Sequence, residues 1–422
     1  LYYTFSSGLF LFSSEIKALL AFPGVKRQVH DQAFYDFLTF LVSPAPQTLF
    51  DGIFKLPASQ SMTVNRNGHI QQKRYWNPFK TSPEVSKLSI EECQEKIIEG
   101  LRESIRHRMV SDVKFGVFLS GGIDSSANVA FMAEQMERPV ETFSIGFKEA
   151  EKFNELNYAR LVADHYKTNH HEVILNSNDL IEFLPQLVYH QDEPIVDPVC
   201  IPVYFVSKLA KDHNTTVCQV GEGSDELFCG YPYWSLILRI LPWAHAYQVL
   251  PEGLRNLIFN SFDKVTSPGS KSLRPLEMFR RVSQGESLFW GGAEAYQETV
   301  KKKILSPGLL KRLNGYSSYN IIKQYHDDFL TEAPEEADAL HWMSYLDLRF
   351  RLPELLLMRV DKMTMATSLE ARVPFLDHEF VSLAMSMPKR IKFKNKTLKY
   401  LLKKAVEPYL PSSIIYRRKQ GF

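Results

Sequence analysis

The segment VFLSGGIDSS places two adjacent glycines directly after a short apolar run. A loop of this kind, between a buried strand and a helix, presents backbone N–H groups and a helix N-terminus to an anion. Gly121 and Gly122 allow the backbone to approach a phosphate closely. Ser120 and Ser125 can donate hydrogen bonds to phosphate oxygens. Asp124 would repel a bare phosphate, so its presence predicts a cation such as Mg²⁺ between the two.

The phosphate interpretation has a simpler alternative, a plain strand-to-helix turn with Asp124 as the helix N-cap. The GxxxxGK[ST] spacing of a Walker loop and the GxGxxG dinucleotide fingerprint are both absent. A Ser before the glycines and the residues IDSS after them favour phosphate binding over the plain turn.

A second loop, VGEGSDELF (Val220–Phe228), also follows an apolar run. In an open parallel sheet, the loops at the carboxyl ends of the strands line one crevice. We therefore predict that Asp124 and Asp225 share a Mg²⁺ ion, which would relieve the repulsion between their carboxylates. The alternative is a helix N-terminus that carries acidic residues because they interact favourably with the helix dipole. That alternative does not require the glycines on either side of Glu222.

Two other segments leave their roles open. RVDKMTMATSLEARVPFLD has alternating charges on a helical pattern, so Arg359, Asp361 and Lys362 are either ion-paired along a helix or part of an active site. Lys419, in RRKQGF, would by itself be interpreted as a solvated surface residue. The adjacent histidines 170 and 171 lack the HExxH context, and a zinc site is not expected there.

The pattern of elements predicts how these loops are positioned. Residues 1 to about 80 contain strand and turn signals, including two strands around SSG and a hairpin with an Asn67–Gly68 turn. Strands then alternate with helices as far as TTVCQV, which predicts a parallel sheet covered on both faces. From Trp234 onward the patterns are mostly helical.

Composition limits the class of protein. The chain has 422 residues, 45% hydrophobic and 23% charged, with a net charge of +2, which is typical of a globular protein of two or three domains. The near-neutral charge gives no reason to expect a nucleic acid or an anionic membrane as a partner. Four cysteines without a framework pattern predict free thiols and a cytoplasmic location. The apolar stretch at residues 234–250 is too short and interrupted to span a bilayer.

Taken together, these segments resemble the glutamine-dependent asparagine synthetases. LSGGIDSS matches that family's SGGxDS pyrophosphate loop, and GEGSDELFCGY is similar to its GEGSDE(L/V)FGGY segment. SLEARVPFLD and RRKQGF are similar to its S(L/V)EARVPFLD segment and its C-terminal lysine motif. FLFSSEIKALLAFPGV looks like the end of its amino-terminal glutaminase domain. The combination in this order is far more specific than any one segment.

The resemblance implies a fold and a set of ligands. It implies an α/β parallel-sheet PP-loop synthetase domain, of the adenine nucleotide alpha hydrolase type, with a helical C-terminal part at residues 91–422. The tail of an Ntn-type glutaminase domain at 1–78 and a linker at 79–90 would precede it. The implied cofactors are ATP and Mg²⁺, and the partners are small molecules: aspartate or another carboxylate, and glutamine or ammonia. Neither nucleic acid nor membrane is implied, and a homodimer is left open.

The resemblance also implies a mechanism in which the aspartate side chain attacks the α-phosphorus of ATP and ammonia then attacks the β-aspartyl-AMP. Pyrophosphate and Mg²⁺ would be held by Ser120, Gly121, Gly122, Asp124, Ser125 and Asp225. Adenosine would be contacted by backbone at Leu119, Ile145, Val220 and Gly221. Glu222 would guide or deprotonate ammonia near the acyl carbon. Lys419 would neutralise charge that develops on the phosphate.

The sequence departs from the family in its amino-terminal part. No cysteine precedes Cys93, although the family's glutaminase begins with a cysteine nucleophile. We therefore expect that the chain as printed is a fragment cut at both ends and cannot hydrolyse glutamine. It would use free ammonia or form part of a longer protein. Val220 and Cys229 also stand where many members have Ser and Gly.

A second departure concerns the acceptor. The stretch YHQDEPIVDPVCIPVYF replaces the ETYDxxxxRASxP type of the better-known members, near the amino-acid site. Asp192, Glu193 and Asp197 are therefore candidates for acceptor binding, and the acceptor is either free aspartate or another carboxylate such as a sugar uronate. A non-catalytic homologue is the third hypothesis. The intact Asp124, Glu222, Asp225 and Lys419 argue against it.

Overall fold

The computed structural model describes residues 1–80, 88–149, 154–263 and 273–418, which divide into two compact units. Unit 1 comprises residues 1–77, 192–196 and 231–354, and unit 2 comprises residues 78–191, 197–230 and 355–422. Each unit is therefore built from three separate stretches of chain. The predicted division at 1–78, 79–90 and 91–422 stays a prediction, and most of the predicted linker lies outside the described residues.

The secondary structure follows the sequence patterns closely. The strands are β1 Tyr2–Ser6, β2 Leu9–Ser13, β3 Ile53–Lys55, β4 Gln60–Val64, β5 Ile70–Arg74, β6 Phe115–Phe118, β7 Glu141–Phe147, β8 Asn169–Leu175, β9 Val217–Gln219 and β10 Glu370–Arg372. The helices up to the last strand are α1 Ile16–Leu20, α2 Asp31–Phe40, α3 Ile90–His107, α4 Ile123–Ala133, α5 Leu156–Tyr166, α6 Ser177–Gln191, α7 Cys200–Asp212, α8 Ser224–Phe228, α9 Pro232–Gln248, α10 Glu252–Asp263, α11 Leu273–Ser283, α12 Glu298–Ile304, α13 Pro307–Leu313, α14 Tyr319–Glu332, α15 Ala339–Leu346, a π-helix Asp347–Leu357 and α16 Met358–Met365. The last helices are a 3₁₀ turn Pro374–Leu376, α17 His378–Ser386, α18 Lys389–Lys392, α19 Tyr400–Val406 and α20 Ser412–Ile415.

Unit 1 contains a small antiparallel sheet in the order β2-β1-β3 and a separate β4–β5 hairpin. The two strands around SSG and the predicted hairpin are both confirmed. Gly68 has a φ of +79°, the left-handed conformation that a glycine in such a turn adopts without steric cost. The sheet packs on α1 through a core of Tyr2, Ile16, Leu19 and Ile53.

Unit 2 contains a five-stranded parallel sheet in the order β10-β9-β6-β7-β8, which confirms the predicted parallel α/β architecture. Its central strands pair Gly116 with both Cys218 and Glu141. Phe143, Cys218 and residues of α7 form a buried cluster on one face. Strand β10 was not predicted, because three residues are too few to show an alternating pattern within a helical region.

The apolar helix α9 contains Pro242, as its sequence indicated. Across the ranges that the structure describes, no helix combines the length and hydropathy needed to cross a membrane. The four cysteines are buried and form no disulfide, which agrees with the expectation of free thiols. Burial raises the pKa of the Cys229 thiol to about 12. The cytoplasmic location and the homodimer stay predictions.

Candidate active site

The loop Ser120–Gly122 joins β6 to α4 in unit 2. Gly121 has a φ of +70°, and a Cβ on it would lie 2.6 Å from the backbone nitrogen of Ala159. Only glycine therefore fits, because α5 packs directly against the loop backbone. Gly122 is the N-cap of α4 and has no side chain to offer its first turn, which leaves those N–H groups to an outside acceptor.

Two hydroxyl groups brace this loop. Ser125 Oγ accepts a hydrogen bond from the backbone N–H of Ser120 at 3.2 Å and donates to the carbonyl of Gly122 at 3.3 Å. Ser120 Oγ lies 3.1 Å from Ser125 Oγ and accepts from the N–H of Gly122 at 3.3 Å. The loop is therefore held in shape by its own residues.

The second loop, at residues 220–223, runs against the first turn of α4. A Cβ on Gly221 would lie 3.0 Å from Cβ of Asp124 and 3.1 Å from the backbone nitrogen of Ser125. Ser224 Oγ donates to Asp124 Oδ1 at 2.5 Å. The structure thus brings the two glycine-containing loops of the sequence together, as the carboxyl ends of adjacent parallel strands require.

A buried lysine that the sequence did not single out connects these loops. Lys399 Nζ lies 2.6 Å from Asp124 Oδ2 and 2.8 Å from Asp225 Oδ1, and its side chain is 5% exposed. Burial alone would lower the pKa of Lys399, but the two carboxylates outweigh it and raise the pKa above its usual range. A Cβ on Gly230 would lie 1.7 Å from Asp225 Oδ1, so glycine is required beside this ion pair.

The donor set fits Mg²⁺ held together with a nucleotide. Within the described ranges, no cluster of three or more His, Cys, Asp or Glu side chains could hold a metal by itself. Magnesium commonly binds one or two carboxylates and completes its shell with substrate phosphates and water. Asp124 and Asp225 supply two such carboxylates, and Lys399 lies between them.

A second ion-pair network involves Arg359 on α16. Its Nη1 lies 2.5 Å from Asp197 Oδ2, and its Nη2 lies 2.9 Å from Glu222 Oε1. The guanidinium is buried, and the two carboxylates raise its pKa although burial alone would lower it. This geometry favours a site role for Arg359 over a surface ion pair. It also connects the predicted acceptor residue Asp197 with the predicted catalytic residue Glu222.

Two predicted acceptor residues lie in unit 1 instead. Asp192 accepts from the N–H of Ile16 at 3.0 Å and pairs with Lys17 Nζ at 2.9 Å, at the start of α1. Glu193 pairs with the buried ammonium group of Lys55 at 3.1 Å. These contacts give both carboxylates partners within unit 1, so we propose acceptor binding below only for Asp197.

The residues predicted to contact adenosine lie at or near the carboxyl ends of three neighbouring strands of the sheet. Leu119 follows β6, Val220 follows β9, and Ile145 lies on β7. The N–H of Leu119 donates to Phe143 O at 2.8 Å, and that of Val220 donates to Arg372 O at 2.9 Å. These two donors already have protein partners. A contact with adenosine would therefore use other groups, and the assignment stays a prediction.

Lys419 lies outside the described residues. The chain just before it is anchored beside the phosphate loop by Arg417, another residue that the sequence did not single out. Arg417 Nη1 lies 2.6 Å from Glu155 Oε1, and the guanidinium stacks 4.5 Å over the ring of Tyr158. Burial raises the pKa of Glu155, and Arg417 opposes that rise. Tyr158 also borders Gly121.

Comparison with known families gives matches over most of the chain. Residues 96–422 match the asparagine synthase family, and residues 1–76 match the glutamine amidotransferase domain family. A solved structure, the NH3-dependent NAD synthetase from Campylobacter jejuni, has 14% identity and a TM-score of 0.25, and it covers 60% of this chain and 100% of its own.

Two relatives from Bacillus subtilis (strain 168) align with the whole chain. Asparagine synthetase [glutamine-hydrolyzing] 1 is 33% identical over 422 residues, which cover 63% of its own length. Asparagine synthetase [glutamine-hydrolyzing] 3 is 28% identical over 446 residues, which cover 62% of its length. The chain therefore spans less than two thirds of each of these relatives.

Proposed function

This chain belongs to the asparagine synthase family, and on that premise we propose that it activates a carboxylate with ATP and transfers the acyl group to ammonia. The observation that carries this proposal is the convergence of Asp124, Asp225 and Lys399 beside a braced glycine loop. A charged cluster next to free helix N–H groups suits the pyrophosphate part of ATP.

The first step of the proposed reaction is adenylation. A carboxylate oxygen of the acceptor attacks the α-phosphorus of ATP, the bond to the β-phosphate oxygen breaks, and pyrophosphate leaves. Ser120, Gly121, Gly122 and Ser125 form the loop that would surround the pyrophosphate, and donors not used inside the loop, such as the N–H of Gly121, would contact its oxygens. Asp124 and Asp225 would hold Mg²⁺, which would supply charge neutralisation on the phosphates.

Two lysines would balance the charge of this step. Lys399 neutralises the two carboxylates and can donate to the leaving pyrophosphate from its buried position. Lys419 neutralises charge on the α-phosphate in the transition state, as the family resemblance implies. Arg417 positions the chain before it through Glu155 and Tyr158.

The second proposed step is attack of ammonia on the acyl-adenylate. Glu222 guides ammonia and accepts the proton that nitrogen loses as the C–N bond forms and AMP leaves. Arg359 holds Glu222 and Asp197 at one guanidinium and so fixes the direction of the Glu222 carboxylate. Asp197, held by the same guanidinium group, would contact the amino group of an amino-acid acceptor.

We propose free aspartate as the acceptor, which gives β-aspartyl-AMP and then asparagine. Both Bacillus relatives are named asparagine synthetases, which supports this choice over a sugar uronate. The nitrogen is proposed to come from ammonia, released from glutamine in a longer protein whose glutaminase domain includes residues 1–76.

The test supplies the chain with ATP, Mg²⁺ and ammonium, with and without aspartate, and measures AMP, pyrophosphate and asparagine. We expect equal amounts of the three products, all dependent on aspartate. Asp124→Asn should abolish them, and Asp112→Asn, at an exposed position of unit 2, should not. AMP release at the same rate with and without aspartate would show that the acceptor is another carboxylate. No AMP with any carboxylate would overturn the proposed activity.

A further inference from the structure

Unit 1 contains a cavity of about 130 Å³ that the proposed reaction does not use. It lies between α9, α11 and the segment at residues 291–297. Tyr233 from α9 and the pair Glu277 and Arg281 from α11 line it, and the exposed side chain of Arg274 also borders it. Gly291 and Gly292 contribute backbone to the wall, together with the side chains of Met278, Glu294 and Gln297. The lining thus combines charged, aromatic and backbone polar groups.

The wall of this cavity belongs to a buried charge cluster. Arg280 pairs with Glu277 at 2.8 Å and with Glu286 at 2.7 Å. Arg281 pairs with Glu277 at 3.2 Å and with Glu294 at 2.5 Å. Within this cluster, three carboxylates face two buried guanidinium groups, and Arg274 is a third cation at the edge of the cavity. An ammonium group beside Glu277 would add a positive charge on the buried side of the cavity.

One oxygen of the cluster lacks a partner. Glu277 is 2% exposed, and its Oε1 accepts from Arg280 Nη2 at 2.8 Å and from Arg281 Nε at 3.2 Å. Its Oε2 is buried and has no hydrogen-bond partner among the residues that the structure describes. A buried carboxylate oxygen without a donor is destabilising, and native proteins rarely leave one unsatisfied. Glu277 lines the cavity, so a small rotation of its carboxylate would allow a ligand there to provide the missing donor.

We propose that this cavity binds a free α-amino acid, with its ammonium group on Oε2 of Glu277 and its carboxylate towards Arg274. The ammonium group brings the hydrogen-bond donor that Oε2 of Glu277 lacks. Arg274 is the cation available to the ligand carboxylate. Burial, with Glu294, raises the pKa of Tyr233, so its hydroxyl stays protonated and can donate to the same carboxylate.

The volume limits the size of the amino acid. A protein cavity of about 150 Å³ holds a molecule the size of benzene. A space of about 130 Å³ therefore suits amino acids with small side chains.

Calorimetric titration of the full chain without ATP tests the ligand class. The probes are L-alanine, methylammonium, which lacks the carboxylate, and propionate, which lacks the ammonium group. We expect saturable binding of L-alanine and at least about tenfold weaker binding of each partial ligand, because each loses one charge-assisted contact.

Two variants test the residues. Glu277→Gln keeps the shape and one acceptor oxygen for Arg280 and Arg281, and it places an amide nitrogen where Oε2 was. It should weaken L-alanine binding by about tenfold or more. Arg274→Ala changes an exposed side chain, so the fold is retained, and it should weaken binding about threefold or more. Glu252→Gln and Arg66→Ala, at exposed positions of unit 1, are the matched controls and should change nothing.

Three results would overturn the proposal. They are unchanged affinity in a folded Glu277→Gln or in Arg274→Ala, methylammonium binding as tight as L-alanine binding, and no saturable binding of L-alanine. The titrations use neither ATP nor aspartate, so they leave the proposed activity untouched. Conversely, a failure to form asparagine would not contradict amino-acid binding in this cavity.

Discussion

The ammonium group of Lys399 lies 2.6 Å from Oδ2 of Asp124, although 275 positions separate the two residues. Asp124 belongs to the first turn after the phosphate loop, and Lys399 precedes α19. The same ammonium group also contacts Asp225. One buried cation thus holds together two acidic groups that would otherwise repel each other. We infer that Lys399 keeps the site assembled until a magnesium–nucleotide complex provides further positive charge.

Replacing Lys399 tests this role. Lys399→Met removes the cation and leaves two part-buried carboxylates facing each other, which should lower the free energy of unfolding by about 2 to 4 kcal/mol. Because Mg²⁺ can replace the lost charge, it should raise the melting temperature of the variant more than that of the parent protein. Lys404→Met, at a surface ion pair with Glu407, is the control. Equal effects of Mg²⁺ on parent and variant would refute the role.

Gly230 provides a steric test of the same ion pair. In Gly230→Ala the new methyl group would overlap Asp225 Oδ1, so the carboxylate must turn away from Lys399. We expect AMP formation to fall by about a hundredfold or more, because the charged groups leave their positions. Gly253→Ala, on α10 with no atom near its added Cβ, is the matched control. Steady-state rates and melting curves of both variants would decide, and a Gly230→Ala enzyme of normal activity would contradict the account.

Arg359 should act on the second step more than on the first. In Arg359→Lys, an ammonium group replaces the planar guanidinium group and cannot bind Glu222 and Asp197 in the same geometry. The Glu222 carboxylate should therefore lose its fixed orientation. Amide formation is expected to fall by about 10- to 100-fold, and acceptor-dependent ATP–pyrophosphate exchange should fall less. Glu222→Gln should likewise reduce amide formation more than ATP–pyrophosphate exchange. Arg160→Lys, at the surface pair with Glu172, should affect neither measurement. An equal loss in both measurements would argue against a role in acyl transfer.

Asp36 predicts a pH dependence of stability in unit 1. Burial raises its pKa to about 6, although hydrogen bonds from Ser318 and Tyr316 oppose the rise. The folded state therefore holds a proton that the unfolded state releases between about pH 4 and pH 6. The stability from this group is complete below about pH 4 and is lost as the pH rises through 6.

The corresponding measurement compares the parent protein with Asp36→Asn by chemical unfolding across this range. From pH 4 to pH 7 the parent should lose about 2 to 3 kcal/mol relative to the variant. A difference that stays constant with pH would show that Asp36 titrates normally.

The sequence predicts the parts of the site that local patterns encode. Strand, glycine loop and helix follow one another within a few residues around Gly121, and a parallel sheet brings the carboxyl ends of its strands together. The proximity of Asp124 to Gly221 could be predicted from this local pattern and the parallel sheet.

The ion pairs could not be predicted in the same way. Lys399 lies in KNKTLKYLLKK, where several lysines alternate with apolar residues and no local feature separates a buried lysine from a solvated one. Asp192 and Glu193 looked like ligands because their partners, Lys17 and Lys55, lie more than a hundred positions away. Long-range pairing decides which charged residues are buried, and a single sequence does not contain that information.

Isotope transfer tests the central claim most directly. Aspartate labelled with oxygen-18 in its side-chain carboxylate is incubated with the protein, ATP, Mg²⁺ and ammonium, and the products are analysed by mass spectrometry. Attack of that carboxylate on the α-phosphorus predicts a labelled oxygen in AMP and none in pyrophosphate. Unlabelled AMP, or label in inorganic phosphate together with ADP, would contradict activation through an acyl-adenylate at this site.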